Sequence, residues 1–109
     1  MKPLHWLYGE VKTPPMTIAA RKEMGFLLRL LQDGETLGLP HSRPMPAIGT
    51  GCHELRVTDV SGEWRLIYAL TNGAVVVLDV FHKKTRATPQ TVIIQCARRL
   101  RDYHLRTAK

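Results

Sequence analysis

The chain has 109 residues, a formal net charge of +7 and a hydrophobic fraction of 44%. This length supports one hydrophobic core, so we expect residues 1–109 to form a single domain. Apolar runs such as residues 74–78 are too short to cross a bilayer, which excludes a membrane-spanning protein. The opening Met1-Lys2-Pro3 does not begin a secretory signal, so we expect a cytoplasmic protein.

The positive charge is concentrated at the end of the chain. Up to residue 82, eight basic residues balance eight acidic ones, whereas from residue 83 onward there are eight basic residues and one acidic residue. Clustered charge of one sign favours a polyanionic partner, either nucleic acid or an acidic protein segment. The alternative is a solvated basic helix without a partner.

The first third of the chain predicts a strand and a helix. The apolar run LHWLY at residues 4–8 is typical of an edge strand or a strand of the main sheet. Pro14 and Pro15 favour a helix start, and Gly34 favours its end. Between them, apolar residues recur at helical spacing and predict a buried stripe: Ala20, Met24, Leu27, Leu28 and Leu31.

A loop and a three-stranded meander follow. Residues 35–51 are rich in glycine and proline and predict a loop; its polar residues His41, Ser42 and Arg43 indicate no particular chemistry. Residues 54–86 then predict three consecutive antiparallel strands. Ser61-Gly62 marks the first turn, and Asn72-Gly73 marks the second, which we expect to be a type I′ turn.

Alternation along these strands predicts which side chains share a face. A first turn of two or four residues places Arg56 and Arg65 on the same face. A two-residue second turn adds His82 and Lys84 to that face and turns Lys83 away unless a bulge intervenes. A central strand rarely carries an unpaired charge, so Arg65 must face an open surface or pair with a carboxylate.

The end of the chain predicts a second amphipathic helix. Thr88 is a good cap and Pro89 a good first residue, and we expect fraying beyond Tyr103. One stripe of this helix is apolar, while Arg98 and Arg99 face elsewhere. The apolar stripe consists of Val92, Ile93, Cys96, Ala97 and Leu100.

The two cysteines, Cys52 and Cys96, are expected to be free thiols in a cytoplasmic protein. Cys52-His53 does not have the spacing of a metal site. We therefore expect no metal and no small-molecule cofactor.

The meander and the last helix carry a family resemblance. The segments ELR, GEWRLIY and VVLDVFHKKTRATP, followed by Arg101-Asp102-Tyr103, resemble the phage-derived branch of the RelE/ParE toxin superfamily, which includes HigB-type toxins. The resemblance implies an α+β fold with an N-terminal helix or helical pair. It also implies an antiparallel-dominated curved sheet with a three-strand meander, and a basic C-terminal helix.

The resemblance also implies a function. Similar toxins cleave mRNA without metal, many of them on the ribosome, through a 2′,3′-cyclic phosphate, and a cognate antitoxin protein inhibits them. Arg65 matches a catalytic arginine of RelE-like members, Lys83 and Lys84 lie where the family often keeps basic residues, and His82 approximately matches a catalytic histidine.

The residues themselves are compatible with that chemistry. RNA supplies its own nucleophile, the 2′-hydroxyl, so a cleavage site needs only proton transfer and positive charge near the phosphate. We therefore predict Arg65, His82 and Lys84 as catalytic residues, because arginine binds phosphate and histidine exchanges protons near neutral pH. The predicted substrate-binding residues are Arg56, Lys83, Arg86, Arg98 and Arg99.

Two other functions fit the same sequence. A ParE-like member of the superfamily would poison DNA gyrase by binding it, without catalytic residues of its own. A phage-derived RNA-binding or assembly module would not be toxic at all. The fold alone does not separate these three functions.

Overall fold

A computed structural model describes residues 1–108 and shows an α+β domain with one helix before the sheet and one after it. Five strands form a curved sheet in the order β1-β5-β4-β3-β2, in which only β1 and β5 are parallel. None of the described helices is long and apolar enough to span a membrane. The elements are β1 Leu4–Trp6, α1 Ile18–Gln32, β2 Ser42–Pro44, β3 Cys52–Asp59, β4 Gly62–Leu70, β5 Val75–Lys83 and α2 Gln90–Thr107.

The sheet is buried on both faces because each face packs against one helix. On one face, the predicted stripe of α1 packs against alternate residues of the central strands, and on the other face α2 contributes Cys96 and Leu100 to a second core. The α1 core includes Leu55, Val57, Trp64, Leu66, Tyr68, Val75 and Val77 of the strands. The α2 core includes Cys52, Ile67, Ala69, Val76 and Leu78. The predicted helical stripes are therefore confirmed.

Both cysteines are free thiols, as the sequence predicts, and both are buried in the α2 core. Burial raises the pKa of the Cys52 thiol to about 11 and that of Cys96 to about 12, because an apolar environment disfavours the thiolate. Both side chains act as apolar core residues.

Helix α1 starts later than its prolines predict. Thr17 is its N-cap, and the Thr17 side chain accepts a hydrogen bond from the Ala20 amide, which satisfies one of the free amides of the first turn. Asp59, at the turn between β3 and β4, in turn accepts hydrogen bonds from the Thr17 amide and hydroxyl at 3.3 and 3.0 Å. One carboxylate thus links this turn to the start of the helix.

We expect the Asp59 link to make stability depend on pH in acid. Hydrogen bonds from Ser61 and Thr17 hold the Asp59 pKa well below its ordinary value of 3.8. The stabilisation is therefore complete above that value and is lost as the pH falls through the lower folded-state pKa. Urea unfolding should show a drop in midpoint between about pH 5 and pH 2.

Asp59→Asn is the matched variant for this prediction. It removes the titrating group, so its unfolding midpoint should be lower near neutral pH and should change less in acid. Equal acid sensitivity in both proteins would show that other carboxylates cause it.

The structure adds one short strand and corrects both ends of helix α2. Residues 42–44, assigned to the loop, form the short strand β2 beside β3. Helix α2 begins at Gln90 with Pro89 as N-cap, and it continues past Tyr103 to Thr107. Thr88 does not cap it, because its hydroxyl donates to the buried carboxylate of Glu54 at 2.6 Å.

The second turn of the meander has the predicted length but not the predicted type. Leu70 pairs with Val75 across the turn, yet no residue except glycine has a positive φ within residues 1–108, so Asn72-Gly73 is not type I′. Instead, the Thr71 hydroxyl donates to the Ala74 carbonyl at 3.0 Å and accepts from the Ala74 amide at 2.9 Å. These two hydrogen bonds of the Thr71 side chain, rather than residues with positive φ, hold the ends of the turn together.

A β-bulge then changes the register of β5. Tyr68 pairs with Val77, but Ile67 pairs with Asp79, so Leu78 is the extra residue. The bulge moves the rest of β5 by one residue relative to a regular hairpin. Every side chain of β5 beyond Leu78 is consequently on the face opposite to the one that the sequence predicts.

Candidate functional site

Arg56 and Arg65 share a face, as predicted, and they are direct partners across β3 and β4. The first turn has two residues, which is one of the two lengths that give this register. The Arg56 amide also donates to the His41 carbonyl at 2.9 Å, and His41 directly precedes β2 on the other side of β3. His41, Arg56 and Arg65 therefore lie in one row across this part of the sheet.

Arg65 is nevertheless buried. Only 1% of it is exposed, and its Nε lies 3.3 Å from Glu54 Oε1 while its Nη2 donates to Glu63 Oε2 at 3.0 Å. The prediction that Arg65 occupies an open surface is wrong, and the carboxylate alternative holds. The physical reason is that a guanidinium in a central strand is stable only when a buried anion compensates it.

Glu54 is the centre of this buried charge cluster, and it is 0% exposed. One of its oxygens accepts from Thr88 at 2.6 Å, and the other lies near both Arg65 and Arg43, 3.4 Å from Arg43 Nε. Lys83 also lies on this face and is buried, which lowers its pKa, with Arg65 adding repulsion. Lys83, a predicted substrate-binding residue, is thus turned inward by the bulge.

An open cleft lies beside the buried charge cluster, and we call it the arginine cleft. Its volume is about 330 Å³. Its lining includes Arg56, a side chain that can bind phosphate, and His41 and Glu63, side chains that can transfer protons. Arg56 is half-buried and His41 is exposed. The full lining is Glu23, Pro40, His41, Arg56, Thr58, Glu63 and Arg65.

Sequence reasoning missed His41 because it missed β2. Had residues 42–44 been recognised as a strand paired with β3, the register would have placed His41 beside Arg56. A three-residue strand that ends in Pro44 carries almost no strand signal, so only the structure shows this neighbour.

The bulge places His82 on the face of the sheet opposite Arg65. His82 pairs with Trp64, and its ring lies 4.7 Å from the Trp64 ring on the α1 side of the sheet. Its Nε2 is 2.9 Å from the Ser61 carbonyl oxygen. Lys84 follows the last residue of β5 and is exposed. The predicted placement of His82 beside Arg65 is therefore wrong, and Lys84 lies beyond the strand that is predicted to carry it.

The remaining predicted substrate-binding residues have different environments. Arg86, in the loop before α2, and Arg98, on α2, are exposed. Arg99 is held in place: its Nη1 donates to the Leu78 carbonyl at 2.9 Å and lies 3.4 Å from Asp79 Oδ2. Its guanidinium carbon also lies 3.9 Å from the centre of the Tyr8 ring.

Asp79, the carboxylate that binds Arg99, has a raised pKa because burial outweighs the attraction of the guanidinium. The Arg99 contacts fall on the bulge itself, since they involve Leu78 and the residue after it. Arg99 therefore fixes α2 to the irregular part of β5 and has a structural role.

The arrangement can bind and protonate or deprotonate a small polar group at the arginine cleft. Within residues 1–108, no three His, Cys, Asp or Glu side chains lie close enough together to hold a metal ion. The ionisable groups of the cleft, apart from the buried Arg65, are the guanidinium of Arg56, the imidazole of His41 and the carboxylates of Glu23 and Glu63.

The chain was compared with curated proteins and with protein-family models. No curated protein matches the chain. A family model described as phage derived protein Gp49-like (DUF891) matches residues 15–101, which include α1, β2 to β5 and most of α2. The match contains every residue of the arginine cleft and of the buried charge cluster. The chain therefore belongs to the Gp49-like family of phage-derived proteins, a RelE-like toxin family.

Proposed function

We propose that this protein is the toxin of a type II toxin–antitoxin system and that it cleaves mRNA in the arginine cleft. The observation that supports this most is the grouping of a guanidinium, an imidazole and carboxylates in one open cleft. Membership in a RelE-like toxin family supports the toxin role. We further infer that the α+β domain is a RelE/ParE-like fold and that the protein works in the cytoplasm, where mRNA is translated.

The proposed reaction uses the RNA's own 2′-hydroxyl as the nucleophile. The 2′-oxygen attacks the adjacent phosphorus, the bond from phosphorus to the 5′-oxygen breaks, and a 2′,3′-cyclic phosphate and a 5′-hydroxyl result. A base removes the 2′-hydroxyl proton and an acid returns a proton to the leaving 5′-oxygen. Arg56 binds the phosphate oxygens on which negative charge develops.

The proton-transfer groups in the cleft are Glu63 and His41. The Glu63 carboxylate accepts a hydrogen bond from Arg65 at 3.0 Å, which orients it, and it is the proposed base. His41 is the proposed acid, since imidazole exchanges protons near neutral pH. Arg65 is a positioning residue in this mechanism because it is buried and holds Glu63 through that hydrogen bond.

Exposed basic residues outside the cleft support a large RNA target. Lys84 and Arg86 lie in the exposed loop after β5, and Arg98 lies on the outer side of α2. Such side chains bind phosphates without reading sequence. We therefore propose that the substrate is mRNA on the ribosome, whose RNA would meet these charges, and that an antitoxin inhibits the protein.

A gyrase-binding toxin remains the second candidate. The observation in its favour is that Arg65 is paired with Glu54 and Glu63, while His82 lies on the other face. A toxin that acts by binding has no need for an accessible catalytic arginine.

The test is to incubate the purified chain with one mRNA, either free or on translating ribosomes, and to map the ends of the fragments. We expect cuts that leave a 5′-hydroxyl and a cyclic phosphate, that persist in a metal chelator and that depend on the ribosome. RNA with a 2′-O-methyl group at the cut site should stay intact, because it lacks the nucleophile.

The competing outcomes are distinct. Intact mRNA together with gyrase-dependent DNA breaks after induction of the chain would establish the second candidate. Intact mRNA and DNA without growth arrest would leave only a binding module.

A further inference from the structure

The sheet has an exposed edge at β1, far from the arginine cleft. In the strand order β1-β5-β4-β3-β2, β1 is at one end, whereas the cleft lies on the β3 and β2 side. No strand within residues 1–108 pairs with the outer edge of β1. An open edge exposes backbone amides and carbonyls that can pair with another chain.

A groove runs beside this edge, between β1 and the second half of α2. Its volume is about 630 Å³, and we call it the β1–α2 groove. Trp6 is 43% exposed and Leu105 is 69% exposed, which are large values for such apolar side chains. The full lining is Trp6, Leu7, Arg99, Asp102, Leu105 and Arg106.

The α2 side of the groove is fixed rather than mobile. Tyr103 on α2 is hydrogen-bonded to His5 on β1 at 2.8 Å between the hydroxyl and Nδ1. Arg99 is held by Asp79 and by the ring of Tyr8. The groove is thus preformed, which reduces the entropy that a partner loses on binding.

The charge of the groove selects the partner. Asp102, its one carboxylate, lies 3.9 Å from Arg101. Arg106 donates only to the Asp102 carbonyl and has no carboxylate partner within residues 1–108. The rim is therefore positive in a chain whose net charge is +7. Two copies meeting at β1 would bring these positive rims together, which disfavours a dimer.

We propose that the β1–α2 groove binds an extended acidic protein segment with alternating apolar side chains, which adds a strand to β1. Its backbone pairs with the open edge, its apolar side chains cover Trp6 and Leu105, and its carboxylates reach Arg106. A partner bound there leaves the arginine cleft uncovered. Binding in the β1–α2 groove therefore does not depend on whether the arginine cleft cleaves RNA.

The probe is a synthetic peptide of about ten residues in which leucine and glutamate alternate. Trp6 is exposed and Trp64 is buried, so burial of Trp6 should shift the fluorescence emission to shorter wavelength. We expect saturable binding of this peptide. Replacing its glutamates with lysine, or alternate residues with proline, should weaken binding at least about tenfold, because charge or backbone donors are lost.

Matched variants of the protein locate the site. Leu105→Ala and Arg106→Glu should each weaken peptide binding about tenfold, the size expected for a central interface contact. The controls are Phe26→Ala and Lys22→Glu on α1, which change an equally exposed apolar residue and an exposed basic residue elsewhere. These should bind as the unchanged protein does.

Several outcomes would overturn the proposal. Equal effects of the groove variants and the α1 controls would show non-specific attraction to a basic protein. A proline peptide that binds as well as the original would exclude strand addition. Absence of peptide binding, or a dimer in sedimentation that Leu105→Ala dissociates, would show that the groove serves no acidic segment.

Discussion

Arg65→Ala should destabilise the protein by about 3 to 5 kcal/mol, the cost of removing one partner from a buried ion pair. Arg65 is 1% exposed and Glu54 is 0% exposed, so the substitution leaves a buried carboxylate facing a cavity. Small domains have unfolding free energies of only about 5 to 15 kcal/mol. Urea unfolding followed by circular dichroism should therefore show a much lower midpoint, and a sizeable fraction should be unfolded without denaturant.

The control for this prediction is Arg56→Ala. Arg56 is the direct cross-strand partner of Arg65 on the same face but is half-buried and has no ion-pair partner within residues 1–108. Its removal should cost less than about 1 kcal/mol. Equal stabilities of the two variants would mean that the carboxylate contacts of Arg65 contribute little.

A double variant separates loss of the charge balance from loss of packing. Glu54→Gln with Arg65→Met removes both charges, keeps an acceptor for the Thr88 hydroxyl and fills most of the arginine's volume. Replacing a buried ion pair by groups of similar size is often neutral or stabilising. The double variant should thus be more stable than Arg65→Ala. If it is equally unstable, packing rather than unpaired charge is the cause.

This expectation changes how a loss of toxicity in Arg65→Ala should be interpreted. The sequence predicts Arg65 as a catalytic residue, and on that interpretation an inactive Arg65→Ala variant has lost only catalysis. The structure shows a residue that holds Glu54 and Glu63. Inactivity of Arg65→Ala by itself would therefore not identify a catalytic residue.

The shared face of Arg56 and Arg65 could be predicted because it depends only on local information. Strand alternation determines it once the turn has an even number of residues, and Ser61-Gly62 marks where that turn lies. The burial of Arg65 could not be predicted, because it depends on Thr88, more than thirty positions from Glu54 in the chain, folding back onto that carboxylate. The sequence identified the candidate carboxylates without showing which would pair.

The error for His82 and Lys83 comes from the bulge at Leu78, where a long-range contact also falls. Arg99 on α2 donates to the carbonyl of Leu78, the bulged residue. A contact between a helix and a strand 21 positions earlier leaves no mark on the alternation of β5, so the sequence alone predicts a regular hairpin. One inserted residue then exchanges the faces of His82 and Lys83.

His41→Ala and Arg56→Ala should each abolish most RNA cleavage while leaving the fold unchanged. Removing a preorganised donor to the developing negative charge costs about a hundredfold to a thousandfold in rate. Removing a general acid costs about a hundredfold to ten-thousandfold. Single-turnover cleavage of ribosome-bound mRNA measures both losses, and urea unfolding of the same preparations shows that the variants are folded.

Conservative variants and a distant arginine complete the test of the arginine cleft. Arg56→Lys should retain part of the rate, since lysine supplies the charge without the two-pronged donor. Arg98 lies on the exposed side of α2. Arg98→Ala should therefore weaken the affinity for RNA at low salt more than it lowers the rate of the cleavage step. His82→Ala should cleave normally, because His82 packs on Trp64 on the opposite face of the sheet. If His82→Ala is inactive and His41→Ala is active, proton transfer takes place on the α1 side, and the arginine cleft is not the active site.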